Sequence, residues 1–471
     1  MDFLSFIQIM KQELMLVLIL FILLFIKLAS QEWKTERLLH LVNVLLFINL
    51  VAGFFFNREG SLFGNMYHTN ALFVFEKNIL NLGALLISMQ SFTWLKQHKH
   101  TPEFYMLLLS SLMGMQFLIS SQHLLMFYLS LELSTIPLAA LVNFDLEKKR
   151  SSEAAMKMIF SSAFASGLLL FGISFIYGTT GTLAFSELSD NLTGTPLPIF
   201  SFILLMAGFG FKISAVPFHL WTADVYEGAP VAVTSFLSVL SKGSLLFVLV
   251  PFLAKTTAAL NEVSYHLLMV LAMATTIIGN LFAIRQQNLK RFLAFSSVAQ
   301  VGFILLGLMA QTTEGNVSVI YFVLVYVFSN LGAFGVVSII SSTTGKETID
   351  DLKGFYKTNP LLSWIMAIAL FSLAGIPPTA GFFGKFFLIF AGAAKGNYSI
   401  ITIAALNMVI SLYYYLRIIK AIFMDANEAA IEKINLNTYA KFAATVCVLG
   451  IVITGLASGA YQYIYNLVVL N

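Results

Sequence analysis

Apolar runs of about 17–25 residues recur along this sequence from end to end, and a helix of that length crosses the hydrocarbon layer of a membrane. The bilayer core offers no water to backbone amides, so each segment must satisfy its own N–H and C=O groups. These constraints predict an all-α polytopic membrane protein. Polar joints divide the runs into about fourteen spans, near 14–30, 38–56, 71–93, 103–121, 123–143, 154–177, 197–220, 229–254, 264–285, 290–310, 318–342, 361–392, 400–423 and 440–467. Only 11% of the 471 residues are charged against 58% hydrophobic, too few charges to clothe a soluble domain.

The net charge of +4 is too small to argue for nucleic acid. Cys447 is the single cysteine, so an internal disulfide and a thiolate metal cluster are both excluded. No GxxxxGK[ST], HExxH or CxxC pattern occurs, and neither a nucleotide nor a metal site is indicated, His98 and His100 in a basic joint included. The opening MDFLSFIQIMKQELMLVLILFILLFIKL has no small-residue cleavage site and reads as a retained first span.

Lys and Arg concentrate in alternate joints, among them Lys34 and Arg37, Lys96 and Lys99, Lys148 to Arg150, Arg285 to Arg291, and Lys346 to Lys357. The opposite joints carry little beyond Lys11, Arg58, Lys255 and Lys395. The positive-inside rule makes the rich set cytoplasmic and both termini external. One cytoplasmic joint is acidic, with Asp224 and Glu227, and is expected to be a protein-packed connector rather than a free loop.

Charged residues at membrane depth carry the functional argument. The stretch FGFKISAVPFHLWTADVYEGAPVAVTSFLSVLSKG sets Lys212 and Lys242 in apolar segments on either side of a bend. At 1.5 Å per residue, Glu132 lies roughly 14 Å into the fifth span, and Lys212 and Lys242 roughly 20 Å into the seventh and eighth. Lys385 falls about 36 Å along a straight twelfth span, a depth that any unwinding would shift. Intramembrane charges persist where they face protein or water. A carboxylate and ammonium groups in one dry plane set each other's proton affinity, which is the physical minimum for a proton relay; a static ion pair is the rival reading. Lys27, Lys77, Lys255 and Lys420, nearer the span ends, are expected to snorkel. His219 is a further relay candidate, Gln300 with Ser296 and Ser297 a place to hold water, and Glu153 with Lys157 a local pair.

Pro217 follows Lys212, and Pro377 and Pro378 precede Lys385. Proline in a membrane helix frees carbonyls, so the seventh and twelfth spans are predicted to be broken. The mirrored order of lysine and proline, with a short match between SSQHLLMFYLS and IRQQNLKRFLAFS, is what an inverted repeat would leave.

The stretch FKISAVPFHLWTADVYEGAPVAVTSFLSVLSK resembles the antiporter-like membrane subunits of respiratory NADH:quinone oxidoreductase, complex I. Further support comes from EFYMLLLSSLMGMQFLISSQHLLMFYLSLELSTIPLAAL, KKRSSEAAMKMI, NLKRFLAFSSVAQVGF and NPLLSWIMAIALFSLAGIPPTAGFFGKF, which reach from Glu103 to Phe386. The resemblance implies fourteen helices with two inverted five-helix repeats: N-terminal helices over 1–102, repeats over 103–254 and 264–423, and a C-terminal helix over 440–467. It carries the family's relay onto Glu132, Lys212, Lys242 and Lys385 and couples it to quinone reduction elsewhere in the complex. NADH, flavin, iron–sulfur clusters and quinone would belong to other subunits, with no cofactor in this chain. The implied partners are other membrane subunits, neighbouring antiporter-like ones included, in the bacterial inner membrane. Related subunits commonly carry histidine where this sequence has Gln300, so the step from Lys242 to Lys385 is expected to use water and Ser or Tyr hydroxyls. A subunit of a multi-chain cation/proton antiporter shares these features, and a structural membrane scaffold is the third reading.

Overall fold

The computed structural model describes residues 3–29, 34–55, 57–256, 260–394, 396–427 and 429–470; Lys395 lies outside them. Among the described residues twelve helices are long and apolar enough to cross a membrane, and Phe3–Ile9 with Lys11–Leu28, bent by 87°, makes a thirteenth span. Two shorter apolar helices, Pro360–Ala374 and Ala380–Gly392, occupy the run expected as the twelfth span. The expected C-terminal span 440–467 is divided: Thr438–Leu456 ends before Ser458, and Gly459–Leu470 is a separate helix. A two-stranded hairpin, Gly60–Leu62 with Tyr67–Thr69, caps the start of the third span, and sequence reading did not anticipate it.

Four spans form the centre. Leu289–Ala310 is buried over the whole of its most apolar window and Thr313–Thr344 over 94% of its own, with Val231–Thr256 and Ala71–Gln90 close behind. Polar side chains on these helices therefore face protein, which gives Lys242 and Gln300 their setting. Gly83 lets two of the four approach closely, since a Cβ there would sit 2.7 Å from Leu240 Cδ1.

The short sequence match has a structural counterpart. His123 and Asn288 are the N-caps of Leu124–Val142 and Leu289–Ala310, and each side chain accepts from a backbone N–H two residues on. Each also bridges to the segment after a 32-residue helix: His123 to Ala184 beyond Lys149–Thr180, and Asn288 to Thr348 beyond Thr313–Thr344. Both long helices end on a glycine with φ 71°, Gly181 and Gly345. Small polar groups thus close two equivalent joints.

The two predicted breaks are present. Pro196–Ile213 stops at Ser214 (φ 65°), passes a cis Val216–Pro217 bond and resumes as Leu220–Gly228. Pro360–Ala374 stops at Gly375 (φ 86°), passes a cis Pro377–Pro378 bond and resumes as Ala380–Gly392. The chain folds back alike in both, with Ala215 N on Gly210 O at 2.7 Å and Ile376 N on Phe371 O at 3.0 Å.

One expectation fails. Lys77 does not snorkel: it is 1% exposed and its Nζ sits 2.6 Å from Glu13 Oε1 and 3.0 Å from Tyr67 Oη. The hairpin carries Tyr67 over the end of the third span, and the bent first span brings in Glu13, closing the route to the interface. Lys27, Lys255 and Lys420 are exposed as expected. Removing one member of a buried pair leaves the other uncompensated. Lys77→Met should cost about 3–5 kcal/mol, and Glu13→Leu combined with it should recover most of that, read as the thermal stability of the purified protein in both variants.

Candidate functional site

The first group lies between the fifth, sixth and seventh spans. Lys212, one residue before the helix stops, donates from Nζ to Ser162 Oγ at 2.6 Å and Thr135 Oγ1 at 3.2 Å. Glu132 accepts from Ser166 Oγ. Ser162 and Ser166 are one turn apart on the sixth span, so hydroxyls of one helix face serve both charges. Glu132 and Lys212 form no ion pair within 4 Å among the described residues. Glu132, Thr135 and Ser162 line a surface cleft of about 620 Å³ whose rim carries exposed Ile136, Met156 and Ile159.

The second group is wholly enclosed. The eighth span makes a π turn over Leu237–Ser241, immediately before Lys242. Such turns gather at functional positions because they redirect side chains inside an otherwise regular helix. Lys242, 2% exposed, donates to Ser297 Oγ at 2.8 Å and lies 5.6 Å from the centroid of the Tyr226 ring. On the preceding turn Ser238 meets Tyr326 Oη at 3.2 Å and Asn330 Nδ2 at 3.0 Å.

A chain of hydroxyl and amide groups leads onward. Ser296 is hydrogen-bonded to Tyr415 Oη, and Gln300 donates from Nε2 to the same hydroxyl at 3.1 Å and to Leu373 O at 2.9 Å. Lys385, fully buried, donates to Leu373 O at 2.7 Å and Ala374 O at 3.3 Å, with the Phe303 ring centroid 4.8 Å away. Those two carbonyls end a helix, so the break supplies the acceptors for the ammonium. Lys385 is the sixth residue of Ala380–Gly392 rather than a point deep in a straight helix, and unwinding at the prolines is the reason.

His219 is buried at the start of Leu220–Gly228, caps nothing, and packs against Phe282 and Phe295. Neither of its ring nitrogens has a partner among the described residues, and the same holds for Gln300 Oε1. Pro217, Pro377 and Pro378 stand exposed at the two breaks. No grouping of His, Cys, Asp or Glu that could hold a metal occurs among the described residues.

The acidic connector is packed against protein, as its sequence predicted. Glu227 pairs with Arg150 at 2.5 Å and Arg291 at 3.0 Å, and Asp224 with Arg291 at 2.6 Å and Lys157 at 2.8 Å; Lys157 also holds Glu153. These pairs fix Leu220–Gly228 to the sixth and tenth spans. Beside them a cavity of about 410 Å³ lies among Glu227, Ala232, Ser338, Glu347 and Lys290. Lys290, which sequence reading left among loop charges, is nearly buried and pairs with Glu347 at 3.1 Å. Sequence reading also missed Thr135, Ser162, Ser166, Tyr326 and Tyr415. The one available signal was the serine pair spaced by four in an apolar run.

Comparison with known proteins shows the family and the fold. The family described as "NADH:quinone oxidoreductase/Mrp antiporter, TM" matches residues 121–411. The NADH-quinone oxidoreductase subunit N of Phocaeicola vulgatus is 46% identical over 452 residues, covering 95% of this chain and 94% of the relative. That of Azobacteroides pseudotrichonymphae is 44% identical over 472 residues, covering 98% of each. A chain of respiratory complex I from Thermus thermophilus superposes with TM-score 0.81 at 27% identity, covering 95% of this chain and 97% of that one. A chain of the Mrp complex from Dietzia sp. reaches TM-score 0.86 at 19% identity, covering 100% and 98%, a likeness of fold alone.

Burial pushes the Asp224 carboxyl up, but hydrogen bonds from Lys157 and Arg291 outweigh it and hold it below the usual carboxylate range. A lowered folded value contributes stability that is present above the unfolded value and is lost as pH falls through the folded one. The connector should therefore stay docked across neutral and mildly acid pH and loosen only in stronger acid. Hydrogen exchange of Leu220–Gly228, corrected for intrinsic rates, should show that profile, and Asp224→Asn should weaken its pH dependence while the Glu227 pairs remain.

Proposed function

Since this chain belongs to the family of NADH:quinone oxidoreductase and Mrp antiporter membrane subunits, we propose that its charges at membrane depth are the stations of a proton relay. The chain is a multi-span membrane subunit of the subunit N type in a proton-translocating complex I, with the other membrane subunits of that complex as its partners. Its setting is the bacterial inner membrane, and both termini are assigned to the external side from the Lys and Arg distribution. It carries no redox centre of its own; electrons move in other subunits.

The relay runs through Glu132, Lys212, Lys242 and Lys385. One observation carries this reading: each charge ends on a neutral hydroxyl or carbonyl rather than on an opposite charge. A static ion pair would place Glu132 against Lys212; here serine and threonine hydroxyls separate them, and a hydroxyl both accepts and donates a proton. Glu132 and Lys212 act as a pair whose coupling changes as the groups between them reorient. Lys242 passes a proton through Ser297, Ser296 and Tyr415 toward Lys385, with water completing the contacts that side chains do not make. Gln300 cannot titrate, so it orients Tyr415 and bound water. His219 serves between Lys212 and Lys242. The cavity beside Lys290, followed by Asn330, Ser238 and Tyr326, gives access from the cytoplasmic side.

The division into N-terminal helices 1–102, repeats 103–254 and 264–423, and a terminal pair of helices from Thr438 is supported by the matching caps and breaks. The matched family includes Mrp antiporter subunits, but the Mrp complex chain is a likeness of fold alone, whereas the relatives at 46% and 44% identity are complex I subunits.

Lys212→Ala, in membranes where the complex is assembled in normal amount, should lower quinone reduction and proton pumping together; unchanged pumping would leave the buried charges as scaffold. Tyr415→Phe keeps the ring and removes the hydroxyl shared by Ser296 and Gln300. It should slow coupled turnover several-fold without loss of assembly, less than the about 10²-fold or more of a full acid–base group because water can replace the hydroxyl.

A further inference from the structure

Glu76 lies on the third span, 1% exposed, and neither of its carboxylate oxygens has a hydrogen-bond partner among the described residues. A carboxylate so placed is costly in a protein interior unless it is protonated or hydrated. Its neighbours on the same helix face show what it looks toward. A Cβ at Gly83 would meet Leu240 of the π turn, and one at Gly243 would lie 3.8 Å from Leu80 Cδ2. The third and eighth spans therefore run antiparallel here, and the face through Gly83 and Leu80 rests on the segment that carries Lys242. Glu76 is one turn beyond Leu80 on that face. It stands about 7–8 Å along the axis from the level of Lys242, toward the end at which the third span begins.

We infer that Glu76 is a proton-binding site that links Lys242 to the membrane face on which the third span begins. This rests on the reading of Lys242 as a relay station and adds a branch that the mid-membrane row does not contain. A proton passing from Lys242 Nζ to a Glu76 oxygen, through water, turns an ammonium and a carboxylate into a neutral amine and a neutral acid. Release of that proton toward the surface restores the carboxylate, and no other bond changes. The surroundings suit an outward step. Lys77, next in sequence, belongs to the buried Glu13–Tyr67–Lys77 cluster. Glu13 Oε2, Ser120 Oγ and Thr69 Oγ1 nearby are buried polar atoms without a partner among the described residues. The ammonium of Lys77 makes the cluster unsuited to a metal cation, so the ligand is the proton.

The test compares Glu76→Gln, Glu76→Asp and Lys242→Met in membranes with the complex assembled, measuring protons pumped per quinone reduced. A lower ratio in Glu76→Gln and Lys242→Met, with partial recovery in Glu76→Asp, supports the branch. A wild-type ratio in Glu76→Gln beside a lowered one in Lys242→Met overturns the branch and leaves the relay standing; wild-type ratios in both overturn the two together. A second measurement needs no variant. A hydrophobic carbodiimide adds to protonated carboxyls in apolar surroundings, and an adduct on the peptide bearing Glu76 in the wild-type complex is expected. Its absence overturns the proposal.

Discussion

An ammonium group inside a membrane protein must be given oxygen atoms, and much of this fold follows from how they are found. A regular helix spends its carbonyls on itself, so a buried lysine has two sources: hydroxyls on neighbouring helices, or carbonyls freed where a helix stops. Both occur here. Lys212 and Lys242 take serine and threonine hydroxyls from adjacent spans, while Lys385 takes the terminal carbonyls of its own broken span. Gln300 draws on one of the same carbonyls, so a single break organises both the ion and the group beside it.

The two breaks resemble each other in backbone and differ in use. In the first, the lysine precedes the stop and reaches sideways; in the second it follows the stop and reaches back across it. Glu132 is nine residues beyond His123, and Ser297 nine beyond Asn288, so the hydroxyl that holds Lys242 occupies the place of the carboxylate in the other half. The same scaffold carries an acid at one station and a neutral acceptor at the other.

Much of the architecture was legible in the sequence because membranes impose long apolar runs, and because charge and proline are conspicuous within them. Glu132, Lys212, Lys242, Lys385 and the two breaks were found on those grounds. What escaped depended on partners distant in the chain. Lys77 looked like an interfacial residue until Glu13, from a bent first span, and Tyr67, from a hairpin, were seen to enclose it. Tyr415 and Tyr326 carry no signal in a chain rich in aromatics, and the π turn has no sequence mark. The match around His123 and Asn288 was faint because only the capping group and its backbone partners are required there.

The π turn sets an angular phase. In a helix each residue turns the chain by about 100°, so a turn holding an additional residue rotates everything after it by roughly that amount. Both halves of the eighth span are enclosed, and burial alone would tolerate either orientation. The polar groups would not: Ser238 within the turn faces Tyr326 and Asn330, and Lys242 after it faces Ser297. The span thus works as an offset crankshaft whose two throws address different neighbours, and straightening it by one residue would leave a sound helix with its lysine aimed at the wrong wall.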